Sequence, residues 1–274
     1  MRRDSGIARN RHRSTQEFVV TSPRRTHRPS GLRRVALAVT ATAAAGALLA
    51  TTAGTAEARK IGDFEVGGAI EVEFDQAGGQ GALGDPTSPE SDAAAGGKFQ
   101  TFGNNAAIYW HPDTGAAAVA GQIRDKYAAL GNETSALGYP VTREQSTPGN
   151  SGRFNHFRNG SIYWSVGTGA HAISGPIRDK WAALGWESSP LGFPLTDVAD
   201  TGKSGGTFTR FPTGTIYWSS TTGAHAVWGN IEADWTRAGG VTGRYGYPTS
   251  DEYDYQGGKA QDFQGGKIVW RPES

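Results

Sequence analysis

Apolar positions in this chain follow two alternating periods, and the alternation itself repeats. Between Gly175 and Gly185, Ile177, Trp181 and Leu184 stand at i, i+4 and i+7, which predicts one apolar helix face. Pro176 suits a first helical turn and Gly185 a C-terminal stop. The same stripe returns as Ile123, Tyr127 and Leu130, as Ile231, Trp235 and Ala238, and near the start as Ile70, Phe74 and Ala77. Ahead of the helix, the pattern is that of short strands: Phe154-x-x-Phe157, a tight turn, Ile162-Tyr163-Trp164, then Gly169-Ala170-His171-Ala172-Ile173. Asn159-Gly160, Thr213-Gly214 and Gly265-Gly266 predict hairpin turns, Asn-Gly because both turn positions favour positive φ. One extra residue between Phe102 and Ile108 predicts a longer loop there. A Leu-Gly-x-Pro turn ends the pattern, since Pro fixes φ and lacks an N–H.

That turn occurs four times at intervals of 54 residues: Leu83-Gly84-Asp85-Pro86, Leu137-Gly138-Tyr139-Pro140, Leu191-Gly192-Phe193-Pro194 and Tyr245-Gly246-Tyr247-Pro248. Ile108-Tyr109-Trp110 returns in the same register, ending as Ile268-Val269-Trp270. The expected fold class is an α+β repeat of four units of about 54 residues, each a short β-hairpin and third strand plus one helix. Three units span about 98–140, 152–194 and 206–248, and the fourth is split between 259–270 and 61–86. A split unit predicts closure into a propeller-like ring, with Phe64–Val66 paired beside the last hairpin. An open array is the alternative, and it would need two polar caps.

Charge divides the chain. Residues 1–58 carry ten arginines against three carboxylates, a net of +7, whereas 59–274 carry a net of −6. The arginine-rich start runs into an apolar, alanine-rich stretch from Val35 to Ala53 and then Ala56-Glu57-Ala58. Basic, apolar and small-residue regions in that order predict a secretory signal peptide over 1–58, followed by a repeat domain over 59–274. The expected location is therefore secreted or associated with the cell wall, with membrane contact only through an uncleaved N-terminal segment. An acidic repeat domain has no general attraction for phosphate backbones, so nucleic acid is not an expected partner. With 28 aromatic residues the chain is not disordered as a whole, and with no cysteine it has neither disulfides nor a thiol nucleophile. A mean hydropathy of −0.49 argues against a multi-span membrane protein.

The Leu-Gly-x-Pro markers, their spacing, the Ile-Arg-Asp-Lys-Trp/Tyr-Ala-Ala-Leu-Gly helix and Gly-Ala-His-Ala together resemble the LGFP-repeat family over about residues 61–270. The resemblance implies an actinobacterial, extracytoplasmic repeat protein that attaches to cell-wall glycan, arabinogalactan or peptidoglycan, with cell-envelope enzymes as further partners. Asp85 and Tyr245 depart from the motif. The family's repeats are often appended to mycolyltransferases and amidases, but here they leave no room for a catalytic domain, so no enzyme activity is carried over.

Local chemistry is sparse. No H-E-x-x-H or Walker A pattern occurs. His171 and His225 are equivalent, but Ala117 and Phe64 take that position in the other copies, so a packed strand-edge side chain is expected rather than a metal ligand. Asp125 and Asp179, each followed by Lys, read as a solvated helix face, and Asp251 to Tyr255 as an acidic loop. No cofactor, metal or catalytic residue is expected. In Ile-Tyr-Trp, alternation sends Ile and Trp to one face and Tyr to the other. The candidate ligand-binding residues are therefore Tyr109, Tyr163 and Tyr217, each a flat ring with a polar tip suited to sugars. The tryptophans of this motif are expected in the core, and Trp186 and Trp228 at the surface. The expected function is non-catalytic binding to wall polysaccharide. A cell-surface interaction scaffold is the alternative, and a wall hydrolase the lesser one.

Overall fold

The computed structural model describes residues 58–272; the expected signal peptide lies almost wholly outside them. The described chain starts with β1 (Arg59–Ile61), β2 (Phe64–Val66), α1 (Gly68–Gln76) and the short α2 (Gly79–Leu83). Three units then repeat one order. The first is β3 (Ser91–Asp92), β4 (Lys98–Phe102), β5 (Ala106–His111), β6 (Gly115–Ala120) and α3 (Gly121–Leu130). The second is β7 (Gln145–Ser146), β8 (Gly152–Phe157), β9 (Gly160–Ser165), β10 (Gly169–Ser174) and α4 (Gly175–Leu184). The third is β11 (Ala199–Asp200), β12 (Thr207–Phe211), β13 (Gly214–Ser219), β14 (Gly223–Trp228) and α5 (Gly229–Arg237). The fourth holds β15 (Tyr253–Tyr255), β16 (Gly258–Phe263) and β17 (Gly266–Trp270). Every sheet is an antiparallel meander whose strands pair in chain order. The chain is an α+β repeat.

Each helix lies between two sheets. α3 leaves the first sheet and packs on β9 and β10; α4 leaves the second and packs on β13 and β14. α1 covers β5 and β6, and α5 covers β17. The cores therefore straddle the repeats. One gathers Tyr109 and Val119 from the first sheet, Ile123 and Tyr127 from α3, and Phe157 and Ile162 from the second sheet. The next joins Tyr163, Ile177, Trp181, Leu191 and Ile216 in the same way. With apolar residues on both faces, a sheet is useful only as an inner layer, which is why alternation here is not apolar against polar.

The Leu-Gly-x-Pro turn acts at three points. Leu83, Leu137 and Leu191 are buried. The glycines take positive φ, +67° at Gly138 and +74° at Gly192, and their carbonyls accept from the helix aromatics: Tyr127 Oη to Gly138 O at 2.9 Å, Trp181 Nε1 to Gly192 O at 3.2 Å and Trp235 Nε1 to Gly246 O at 3.0 Å. The aromatic third residue sits against a glycine of the preceding sheet. A Cβ on Gly97 would stand 2.2 Å from Tyr139 Oη, and one on Gly206 2.1 Å from Tyr247 Oη. The first copy follows only the two-stranded β1–β2 hairpin, and Asp85 accepts from Gln80 Nε2 at 2.6 Å.

Units are also latched by charge. Asp197, just past the third Leu-Gly-x-Pro turn, pairs with Lys126 of α3 and accepts from the Ala172 N–H at 2.9 Å, satisfying the outer edge of β10. Asp251 does the same with Lys180 of α4 and Ala226 N–H at 3.2 Å. One unit earlier the signs are exchanged. The helix supplies the acid, Glu73, which accepts from Ala118 N–H at 3.1 Å, and the turn supplies Arg143, 2.8 Å from Glu73 Oε2. Burial by itself would raise Asp197 and Asp251. Hydrogen bonds from His171 or His225, from the lysines and from the strand N–H outweigh it and hold each carboxyl at about 2. A buried side chain adds a second tie: Gln100 Nε2 donates to Glu65 O and Ser88 O, Asn155 Nδ2 to Ala118 O and Thr142 O, and Gln261 Nε2 to Ala226 O and Ser250 O.

The expected ring closure is not seen. Phe64–Val66 pairs with Arg59–Ile61, and no sheet among the described residues joins the two ends. β1 takes the place on β2 that a strand of the last hairpin would have occupied, and Ile61 joins Ile70 and Phe74 where Tyr109 packs on the next helix. The other end is resurfaced. Ala260 and Val269 face each other where Phe208 and Tyr217 pair one unit earlier, and Val269 is exposed. Beside them Lys267 lies 3.6 Å from Asp262, 5.2 Å over the Tyr253 ring and 4.5 Å over Tyr255. A Cβ on Gly258 would meet Arg271 instead of an aromatic ring. These are the features of a polar cap.

The turn at Asn159-Gly160 also differs from expectation. Phe157 pairs with Gly160, so the two-residue loop is Arg158-Asn159, and neither residue has positive φ. Glycine is needed at 160 for close approach: a Cβ there would stand 2.6 Å from Leu137 Cδ2 and 2.8 Å from Ile173 O.

Candidate functional site

Two of the three candidate tyrosines are core residues and the third packs at the core's edge. Tyr109 is 5% exposed and Tyr163 3%, while Tyr217 is half-buried. Alternation does send them away from the Ile face, but the following helix waits on that side. Tyr109 meets Tyr127 edge-on at 5.2 Å, Tyr163 meets Trp181 at 4.6 Å and Tyr217 meets Trp235 at 4.8 Å. Their other faces stack on Phe99, Phe154 and Phe208 at 5.8, 5.0 and 5.9 Å. Burial pushes the Tyr109 hydroxyl up to about 12 and raises Tyr163 and Tyr217 as well. Tyr109 and Tyr163 have no face left for a sugar, and Tyr217 is held between Phe208 and Trp235.

The tryptophans two positions from the isoleucines behave differently. Ile108, Ile162 and Ile216 are fully buried under the preceding helix, but Trp110, Trp164, Trp218 and Trp270 lie at the strand ends and stay half-exposed. Trp164 forms one wall of a groove of about 480 Å³ with Gly121, Gln122 and Ile123 at the start of α3, Glu144, and Arg153. Trp110 lines a groove of about 230 Å³ with Gly68, Ala69 and Ile70 of α1, Glu90 and Lys98. The two sites are the same place in successive units. Glu90 and Glu144 both stand four residues after the motif proline, and Lys98 and Arg153 both pair across the sheet with the tryptophan. The acid and base lie 3.9 Å apart in the first groove and 3.7 Å in the second. Burial raises Glu144, with Arg153 acting against it. The fourth unit keeps the set as Glu252, Lys259 and Trp270, with 4.0 Å between the charges. The third replaces it with Val198, Thr207 and Trp218.

Each groove thus offers an indole face, a carboxylate and a cation held together, and the backbone of a helix start. Such a place can stack the apolar side of a sugar ring and bond its hydroxyls in both directions. Sequence reading placed these tryptophans in the core and missed the Glu and Lys/Arg positions. The signal was present: Glu90, Glu144 and Glu252 fall in one repeat register.

His171 Nε2 donates to Thr168 O and His225 Nε2 to Thr222 O, each at 2.9 Å, while the Nδ1 atoms face Asp197 and Asp251. Among the described residues no group of three or more His, Asp or Glu is arranged to hold a metal ion. Nor is any described helix long and apolar enough to cross a membrane. Trp186 is half-buried and stacks on Tyr163 at 5.7 Å, with the Arg178 guanidinium 5.4 Å from its ring centre.

The LGFP repeat family model matches residues 83–135, 137–189, 191–243 and 246–274. This chain belongs to the LGFP repeat family. Each matched segment opens at the Leu/Tyr-Gly-x-Pro turn or just inside it, and the first three run past the helix. No curated protein matches the chain.

Proposed function

We propose that this LGFP repeat protein is a non-catalytic module that holds cell-wall polysaccharide outside the cytoplasm, through the grooves at Trp110 and Trp164 and the equivalent residues at Trp270. The observation that carries this reading is the recurrence of one indole with one acid–base pair at equivalent places in three units. The arrangement suits a polymer. A glycan with repeating sugars offers identical groups to sites fixed on one body, and weak sites then add through effective concentration. Arg153 faces Glu144, while Lys98 and Lys259 each meet a second carboxylate, Asp92 at 2.6 Å and Asp254 at 2.7 Å, so none of these places presents a net positive charge, which favours a neutral glycan over an acidic one. Export by the arginine-rich N-terminal segment brings the module to the wall, where it can hold partner enzymes near their substrate.

Depletion of the purified full-length chain by insoluble wall glycan tests this. Trp164→Ala should weaken depletion modestly, and Trp110→Ala, Trp164→Ala and Trp270→Ala together should reduce it far more, with the melting temperature roughly kept. Salt should have a mild effect, since stacking and neutral hydrogen bonds are poorly screened. Undiminished depletion by a folded triple variant would remove the grooves from consideration.

A further inference from the structure

A second cavity, of about 640 Å³, lies at the last unit, between the C-terminal end of α5, the fourth Leu-Gly-x-Pro turn and β17. Three cations line it: Arg237, Arg244 and Lys267. The repeat supplies its own control for their meaning. At the place of Arg237 the other units have Gln76, Ala129 and Ala183; at the place of Arg244, Ala82, Ala136 and Pro190; at the place of Lys267, Ala107, Ser161 and Thr215. Nine equivalent positions are uncharged, and the three that are charged converge on one cavity, in a repeat domain whose net charge is −6. A polar cap needs polarity but not one sign.

The partners of these cations sharpen the point. Asp234 is the one carboxylate in the lining and is engaged by Arg237 at 2.6 Å. Lys267 is 3.6 Å from Asp262, which lies outside the lining. Arg244 has no carboxylate partner among the described residues; it donates to Tyr245 Oη at 3.1 Å and lies 4.7 Å over that ring. A guanidinium over an aromatic ring and without a carboxylate partner keeps N–H donors for a planar or tetrahedral oxyanion. Val269 adds an exposed apolar surface beside it.

We propose that this cavity is an anion site that takes a phosphate or carboxylate carried on a saccharide, with Arg244 as the principal contact, Arg237 and Lys267 as supporting charges, and Tyr245 and Val269 against the sugar. The site is separate from the tryptophan grooves and differs from them in ligand charge.

Calorimetric titration of the full-length chain with glucose 6-phosphate, glucuronate and glucose tests it. Binding of either acidic sugar, with none of glucose, is expected, and which acid binds more tightly distinguishes phosphate from carboxylate. Affinity should fall with added salt. Arg244→Gln should weaken it about tenfold, the usual effect of losing one charge-assisted hydrogen bond. Arg237→Gln should act in the same direction. Arg210→Gln removes the same charge from an exposed strand position and should leave it unchanged. Melting curves establish that each variant is folded. No binding of either acid by the wild-type chain, or equal loss with Arg210→Gln and Arg244→Gln, would overturn the proposal.

Discussion

The second and fourth units share one meander, yet they treat the face beyond it in opposite ways. In the second, Phe154 and Tyr163 stack 5.0 Å apart and Trp181 closes over them from α4. In the fourth, Ala260 and Val269 occupy the equivalent positions, Lys267 and Asp262 flank them, and among the described residues no helix packs over them. The backbone pairing is the same, antiparallel and in chain order. An apolar face therefore belongs to a layer that will be covered and not to the strand as such. Propensity makes the meander, and the neighbour decides its polarity.

The largest expected difference between the two units is in stability. Trp181→Ala removes a fully buried indole that also donates to Gly192 O, and should cost about 3–5 kcal/mol. Val269→Ala should cost less than about 0.5 kcal/mol, since that side chain is exposed. Chemical denaturation of both variants makes the comparison, and equal costs would mean that the terminal face is as covered as the internal one.

Next comes the latch. Asp197→Ala leaves the Ala172 N–H and Lys126 without their acceptor and should cost about 1–2 kcal/mol, discounted for partial exposure. The same carboxyl makes stability depend on pH. Asp197 and Asp251 sit at about 2 in the folded chain, below the ordinary aspartate value, so their contribution is present above about pH 4 and is lost as the pH falls towards 2. Urea midpoints across that range should fall in the wild-type chain and fall less steeply in Asp197→Asn.

The exchanged signs permit a finer test. Glu73→Lys alone sets two cations against each other at Arg143 and should cost about 1–2 kcal/mol, while adding Arg143→Asp should recover part of it. No recovery would mean that Glu73 acts only as an acceptor for Ala118 N–H. The smallest stability effect is expected from Val269→Tyr, which restores the internal pattern where nothing covers it. It should shift stability by less than about 0.5 kcal/mol, and light scattering should show increased self-association.

The repeat, its helix stripe and its closing turn were legible because each is a local pattern. Ile177 and Trp181 mark the helix in the sequence and are fully buried in the fold. The fate of the two faces was not legible. Alternation separates Tyr163 from Ile162 and Trp164, but it does not say that a helix covers both sides, nor that Trp164 projects past the helix end. Closure is unconfirmed for a related reason. The N-terminal segment does match the part that the last unit lacks, yet Arg59–Ile61 supplies β2 with a partner from three residues away. Local pairing avoids the chain entropy of joining distant ends. Lys267 could have argued against a ring, because it replaces the buried Thr215 on a face that a closed ring would bury.

The exchanged charges at Glu73 and Arg143 bear on how such an array can grow. Since every core is shared between neighbours, duplicating any stretch of one repeat length adds one sheet and one helix wherever the stretch begins. The latch restricts that freedom. A duplicated stretch that carries Lys180 and Asp197 brings a basic helix and an acidic turn, which suit each other, whereas the same insertion between α1 and Arg143 would set acid on acid or base on base. The first unit is marked by its polarity as the one that must stay first, so the order of the array is written in the sign of a single contact.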